Sequence, residues 1–454
     1  MRRLSVTVDH DTEDYNRANA KLPWYERLLA RNGLTIVYST FPSVLIVLVF
    51  LGVKAAVDAI SHATSNEPGV RMSAWFVVGG IALEVATDII KSHLDPNYIY
   101  GKPVLWVILL IVWSVSLLLT GGNLGMWSFA VWWLAWWVAI GLKNVFHDGV
   151  PVLRALFHGA LYATVFLACA ASVSGYIFVV STVSGVAQVV LTGVAYPTIA
   201  HVLKELWFKV ISQEMDRTSG VTENDDVENG TFISTVLMTE TFLELANKIA
   251  IAQIARTDEF AGTMATSFVI EVLGKAAVMW WFKNKVVAEE VVEESIHEAG
   301  ILPVIPSSRN QSEQDDRVES LKKAAHRHHN ANEKKRYEFR TAYGELGEVV
   351  ATVVAFGVLL AAGELQPAEG LGRLAFALVC EYLADLGVWC LMESEGYMLT
   401  NVVYRFAPVR IASLVCMTVA GLGAVELGNE MVWMAVLNAN VTLGNGTANG
   451  TMIA

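Results

Sequence analysis

The sequence predicts an all-α polytopic membrane protein of about eleven transmembrane helices, with the N-terminus cytoplasmic and the C-terminus outside or lumenal. Three observations carry this. Of 454 residues, 54% are hydrophobic and only 17% charged, whereas a soluble globular chain has about 25% charged residues. The apolar residues gather into runs near the ~20 residues that cross a bilayer as a helix. The cations sort by alternate loops: of 32 Lys and Arg, 26 fall in segments assigned to the cytoplasm and two, Arg71 and Arg256, outside, while Lys54, Lys248, Lys275 and Arg373 lie within spans. That asymmetry is the positive-inside pattern, and one span more or fewer would break it.

The elements follow in order. Residues 1–35 are a polar cytoplasmic arm holding Arg2, Arg3, Arg17, Lys21, Arg27 and Arg31. The arm has no signal-peptide pattern, so the first apolar run inserts the chain. Spans one to six are expected at 36–58, 74–90, 103–120, 124–142, 153–174 and 177–198, within a first membrane block, 36–211. Lys204 then counts among the cytoplasmic cations. Residues 212–232 are acidic and polar and form a cytoplasmic loop. Spans seven and eight, 233–254 and 261–282, make a second block, 233–282.

Residues 283–345 read as a charged cytoplasmic helical segment that offers a surface to a protein partner. Its first part, KNKVVAEEVVEESIHEA, prolongs span eight; PVIPSSRNQSEQ breaks the helix, and VESLKKAAHRHHNANEKKRYEFR returns to the membrane. The last block, 346–437, holds spans at 346–364, 371–392 and 409–430. The tail, 438–454, carries Asn-x-Thr sequons at Asn440, Asn445 and Asn449. Sequons so placed point to a glycoprotein of the eukaryotic plasma membrane or secretory pathway. Those at Asn229 and Asn310 fall on the cytoplasmic side and should stay unmodified.

Charge inside the membrane is costly and marks functional paths. Span one has Lys54 and Asp58; span two, Glu84 and Asp88; span seven, Glu240, Glu244 and Lys248; span eight, Glu271 and Lys275; span ten, Glu381 and Asp385. Neighbours in each set are four residues apart and share a helix face. The stripes LEVATDII, LELANKIA, IEVLGKAA and CEYLADLG form a degenerate repeat. With the preceding spans they suggest parallel hairpins 1–2, 7–8 and 9–10, although span nine shows no matching charge at mid-membrane. Transporters are often built on such weak internal symmetry.

Eight acids against three lysines cannot all stay bare in a low-dielectric bundle, so some are protonated, hydrated or bound to cations. The leading expectation is a secondary transporter or a cation- or proton-conducting pathway. Its path would use Glu84, Asp88, Glu240, Glu244, Lys248, Glu271, Lys275, Glu381 and Asp385, with Lys248 and Lys275 as internal counter-charges. One alternative is a non-transporting scaffold or receptor whose charge pairs specify helix assembly. Another is an intramembrane lipid-modifying enzyme using His158 or a carboxylate.

Other features narrow the field. The net charge of −12 does not suit nucleic-acid binding, which needs clustered cations. The four cysteines lie in apolar runs and imply no disulfide framework. No phosphate-binding loop, potassium-filter sequence or metalloprotease motif occurs. No catalytic residue, resident cofactor or metal centre is expected, and the partners are the lipid bilayer and a cation or proton. His326, His328 and His329 read as a solvated basic face, His158 and His201 as hydrogen-bonded core, and the tryptophans of spans three and four as scaffold. Arg2-Arg3-Leu4-Ser5 matches a basic kinase pattern only weakly.

Overall fold

The computed structural model describes residues 24–63, 67–94, 151–219, 225–298, 340–394 and 408–448, with Glu338 and single positions between 112 and 145. Among the described residues there are helices and turns and no strand. The helices are α1 (Trp24–His62), α2 (Glu67–Leu94), α3 (Val152–Val180), α4 (Val186–Val190), α5 (Tyr196–Ser219), α6 (Asp225–Ala252), α7 (Thr257–Glu298), α8 (Arg340–Ala361), α9 (Pro367–Ser394) and α10 (Pro408–Ala448).

Among the described residues, seven stretches are long and apolar enough to cross a membrane: Thr35–His62, Glu67–Ala86, Val152–Val180, Val186–Lys204, Arg340–Ala361, Pro367–Ser394 and Arg410–Trp433. The protein is therefore an all-helical integral membrane protein. Helices α6 and α7 coincide with the expected spans seven and eight but are not among the seven; α6 carries three charges over nine residues, Glu240, Glu244 and Lys248. Expected spans three and four lie almost wholly outside the described residues, as do the N-terminal arm through residue 23, the histidines at 326–329, and Asn310 and Asn449. Asn229, Asn440 and Asn445 lie on α6 and α10 with undescribed side chains.

The chain divides into two compact units. One comprises Met1–Asn32, Phe268–Ala342 and Tyr382–Tyr404. Within it Lys275 donates to Glu271 one turn away on α7 at 2.7 Å. Gly387 of α9 abuts Val272 of α7, and Trp389 and Met392 are buried.

The other unit comprises Gly33–Ser267, Tyr343–Glu381 and Arg405–Ala454. Its axis is α10, packed against α2, α6 and α3. Small residues permit the close approach: Gly421 lies against the Phe242 carbonyl, Gly423 against Trp75 and Gly428 against the Ser174 carbonyl. Paired positions give the directions. Along α2 and α10, Arg71 meets Glu430, Trp75 meets Gly423, Gly79 meets Ala420, and Ser413 donates to the Ala86 carbonyl. Those helices are antiparallel. Ser174 donates to the Ala424 carbonyl and Ile177 touches Gly428, so α3 is parallel to α10.

The same reading covers the remaining helices of this unit. On α6, Phe242 meets Phe166 and Asn247 meets Tyr176, so α6 runs with α3. Gly344 and Gly347 of α8 lie on Glu240, while Phe356 packs near Ile251 at the far end of α6, so α8 is parallel to it. Trp207 of α5 meets Phe242 while Tyr196 lies beside Tyr176, so α5 is antiparallel to α6. Helix α9 is also antiparallel, with Glu381 at Lys248 and Arg373 at Ile254. Phe50 stacks on Trp75 while Asp58 reaches Arg71, so α1 opposes α2 and runs with α10.

Two local features shape the connections. After α8 the chain turns at Gly363, φ 74°, with Glu364 N–H on the Leu359 carbonyl and Gly363 N–H on the Leu360 carbonyl. This is a Schellman closure, which requires the left-handed residue that glycine supplies. Pro367 then opens α9 where its missing N–H costs nothing. Between α4 and α5, Leu191–Ala195 form a π turn, closed by Tyr196 N–H on the Leu191 carbonyl. The wide turn sets the register of Tyr196 and everything after it.

Candidate functional site

Helix α6 is largely buried from Val236 to Ala252, yet it carries Glu240, Glu244, Asn247 and Lys248 down one side. Spacings of three and four residues put these groups on a common face. Hydrocarbon offers such groups no hydrogen bonds, so they must find partners on neighbouring helices.

The first partner is Lys204 of α5. Its Nζ lies 2.5 Å from Glu240 Oε2 and 2.5 Å from Glu244 Oε1, with the lysine 7% exposed. Glu348, on α8, completes a triad: one carboxylate oxygen from each of Glu240, Glu244 and Glu348 lies within 4.8 Å of the others. Gly347 makes this possible. A Cβ there would come 3.0 Å from the Glu240 Cβ and 3.4 Å from the Leu237 carbonyl, so a side chain would hold α8 away from α6. Formally the cluster has three negative charges and one positive.

One turn further along α6, Tyr176 of α3 donates to Asn247 Oδ1 at 2.9 Å, and Tyr196 donates to the Leu243 carbonyl at 2.9 Å. The two phenol rings stack at 3.9 Å between centroids. Beyond them Lys248 donates to Glu381 of α9, and both side chains are nearly sealed, at 5% and 4% exposure. At the end of α6 the Arg373 guanidinium donates to the Ile254 and Ala255 carbonyls, pairs with Glu369 at 2.6 Å and lies 5.3 Å above the Phe260 ring. A cation there answers the unmet carbonyls and the negative pole of the helix end. In the turn that follows, outside the expected spans, Arg256 donates to both oxygens of Asp258 and holds that carboxyl below its ordinary range.

A second network joins α1, α2 and α10. Lys54 pairs with Glu426; Arg71 pairs with Asp58 at 3.3 Å, Glu67 at 2.6 Å and Glu430 at 3.1 Å. Glu84 and Asp88 are buried on α2, at 3% and 5% exposure.

Of the sequence-selected residues, then, the structure joins Glu240 and Glu244 through Lys204, and Lys248 with Glu381. Glu271 and Lys275 pair with each other, while Asp385 is buried on α9. Five further contributors lie outside the sequence-selected set. Lys204 does not belong with the cytoplasmic cations but is a buried partner of α6, because the apolar stretch extends to Lys204 rather than ending at 198. At the start of span nine Glu348, and Glu345 just before it, are buried, at 7% and 1%. Glu426 and Glu430 in span eleven were passed over as well. Their common signal was a carboxylate within one or two turns of an apolar boundary, which hydropathy assigns to water.

Comparison with protein-family models, curated proteins and solved structures finds no match, so the reading of this site rests on its own chemistry.

Proposed function

We propose that the chain is an eleven-span membrane protein that moves protons or small cations through the buried carboxylates around α6. The observation that carries this is the triad of Glu240, Glu244 and Glu348, formally three negative charges, gathered beside the Lys204 ammonium that pairs with the first two. Two negative charges in excess, away from water, need a proton or cation to meet them. Continued along α6 by Asn247, Lys248 and Glu381, the polar groups form a column through otherwise apolar packing.

Helix directions support the count of eleven. Helices α6 and α8 are parallel, which agrees with the one crossing expected between them, span eight on α7. Before α3, Trp137 donates to the Leu156 carbonyl and Gly159 lies on Trp137, while Gly141 lies on Leu156. This segment therefore runs against α3, as α2 also does. Two successive described segments with the same direction agree with the expected span three between them. With the cation asymmetry of the loops, the N-terminus is cytoplasmic and the sequon-bearing tail outside or lumenal. The tail sequons make the protein a glycoprotein of the eukaryotic plasma membrane or secretory pathway.

The test is flux. Purified protein in liposomes should carry protons or monovalent cations down an imposed gradient, read with a trapped pH-sensitive dye, and Glu244→Gln and Glu348→Gln should each cut the rate at least tenfold. Unaltered flux in both folded variants would remove the triad from the path.

A second reading, a non-transporting assembly scaffold, is favoured by one observation: Lys248–Glu381, Lys54–Glu426 and the Lys204 pairs each tie two different helices together. Liposomes that stay tight with the wild-type protein, over every ion tried, would favour it.

A further inference from the structure

We propose that Lys204 is a tethered cation that occupies the seat a metal ion would take among Glu240, Glu244 and Glu348, and so restricts this site to protons. The inference rests on the transport reading and narrows its substrate.

Three carboxylate oxygens within 4.8 Å of one another can share one hard cation, whose oxygen bonds run about 2.3–2.6 Å for calcium and shorter for smaller ions. The Lys204 ammonium sits 2.5 Å from two of the three residues, on Glu240 Oε2 and Glu244 Oε1, which is a cation's position and distance. Its own helix brings it there, and its neighbours hold it. Tyr196, two turns earlier on α5, is anchored to the Leu243 carbonyl, and Trp207 is wedged against Phe242. On α6 both anchors lie between Glu240 and Glu244, and on α5 they flank Lys204. The ammonium is therefore fixed on the carboxylates.

An entering metal ion would meet a like charge at contact distance and could bind only after Lys204 withdrew or lost its proton. A proton meets no such obstacle. A hydronium gives its proton to a carboxylate oxygen of the triad, forming an O–H bond and leaving water, and release on the other side reverses the step. No other reactant is needed, and Lys204 keeps its charge throughout.

Removing the lysine should create the site it fills. Lys204→Met leaves three carboxylates and no internal cation, whereas Lys204→Arg keeps the charge. The experiment titrates MnCl2 into detergent-purified protein and follows the thermal midpoint together with Mn2+ binding by electron paramagnetic resonance. Wild type and Lys204→Arg should show no saturable binding. Lys204→Met should bind about one Mn2+ with a saturable rise in midpoint, and Lys204→Met/Glu348→Gln should lose at least tenfold in that affinity.

Saturable Mn2+ binding by the wild type that Glu348→Gln abolishes would overturn the proposal. So would a folded Lys204→Met that binds none. Should Lys204→Met fail to fold, Lys204→Gln takes its place, and the wild-type arm can still refute. Failure of the transport reading looks different: liposomes without flux, while the Mn2+ response of Lys204→Met persists.

Discussion

Neutralising Lys248 tests how the buried column is held together. Lys248 and Glu381 are 5% and 4% exposed and lie on facing helices, so Lys248→Met takes the ammonium away from a buried carboxylate. Breaking one side of a buried ion pair typically costs about 3–5 kcal/mol, whereas replacing both members by apolar residues of similar volume is often close to neutral. At about 1.4 kcal/mol per power of ten, the single variant should lower the folding equilibrium by roughly two to nearly four powers of ten. Lys248→Met/Glu381→Leu should recover most of that loss. The assay is reversible unfolding in mixed micelles, followed by tryptophan fluorescence, over a full double-mutant cycle. A Lys248→Met cost below about 1 kcal/mol would refute the reasoning, since a buried carboxylate that has lost its ammonium cannot be that cheap. Flux through the double variant would then say whether the pair takes part in conduction or only in assembly.

Other outcomes follow from the packing. Gly428→Ala should destabilise by about 1–3 kcal/mol, because its Cβ would sit 2.7 Å from the Ser174 carbonyl oxygen, whereas Gly79→Ala, with nothing nearer than 3.8 Å, should be neutral in the same unfolding assay. Arg373→Gln should cost about 1.5–3 kcal/mol through the lost charged bonds to the Ile254 and Ala255 carbonyls, and protease cleavage in the α6–α7 turn should quicken. Arg256→Gln should raise the titration midpoint of Asp258 toward the ordinary carboxylate value, measured by carbon-13 shifts of labelled aspartate. Peptide N-glycosidase treatment should shift the mobility of the protein expressed in eukaryotic cells. Replacing Asn440, Asn445 and Asn449 by Gln should abolish that shift, and a glycan on Asn229 would contradict the topology.

Much of the architecture was legible because hydrophobic length and cation placement are properties of single helices. The stripe of Glu240, Glu244 and Lys248 was equally plain, since spacing alone puts its members on one face. Their partners were not. Spacing suggested companions one turn away, and Glu271 with Lys275 behaves so, on α7. Lys248 instead reaches Glu381 across the bundle, Lys54 reaches Glu426, and Glu244 finds Lys204. Such choices depend on which helices become neighbours, information that no local window contains. Lys204 and Glu348 were lost for a related reason. Hydropathy draws the membrane edge where charge begins, but a charge answered by another helix can lie inside that edge.

The enclosure of α6 also bears on how the chain is made. A helix with Glu240, Glu244 and Lys248 would be rejected by lipid on its own, at about 2.5–3.5 kcal/mol for each charged residue near its centre. Lys204 precedes Glu244 by only 40 residues, so α5 and α6 can leave the insertion machinery as one neutralising hairpin. Lys248 has to wait for Glu381, 133 residues later, or roughly 7–27 s at ordinary rates of synthesis. During that interval the half-built bundle holds an unanswered ammonium, and a chaperone within the membrane would find its client there.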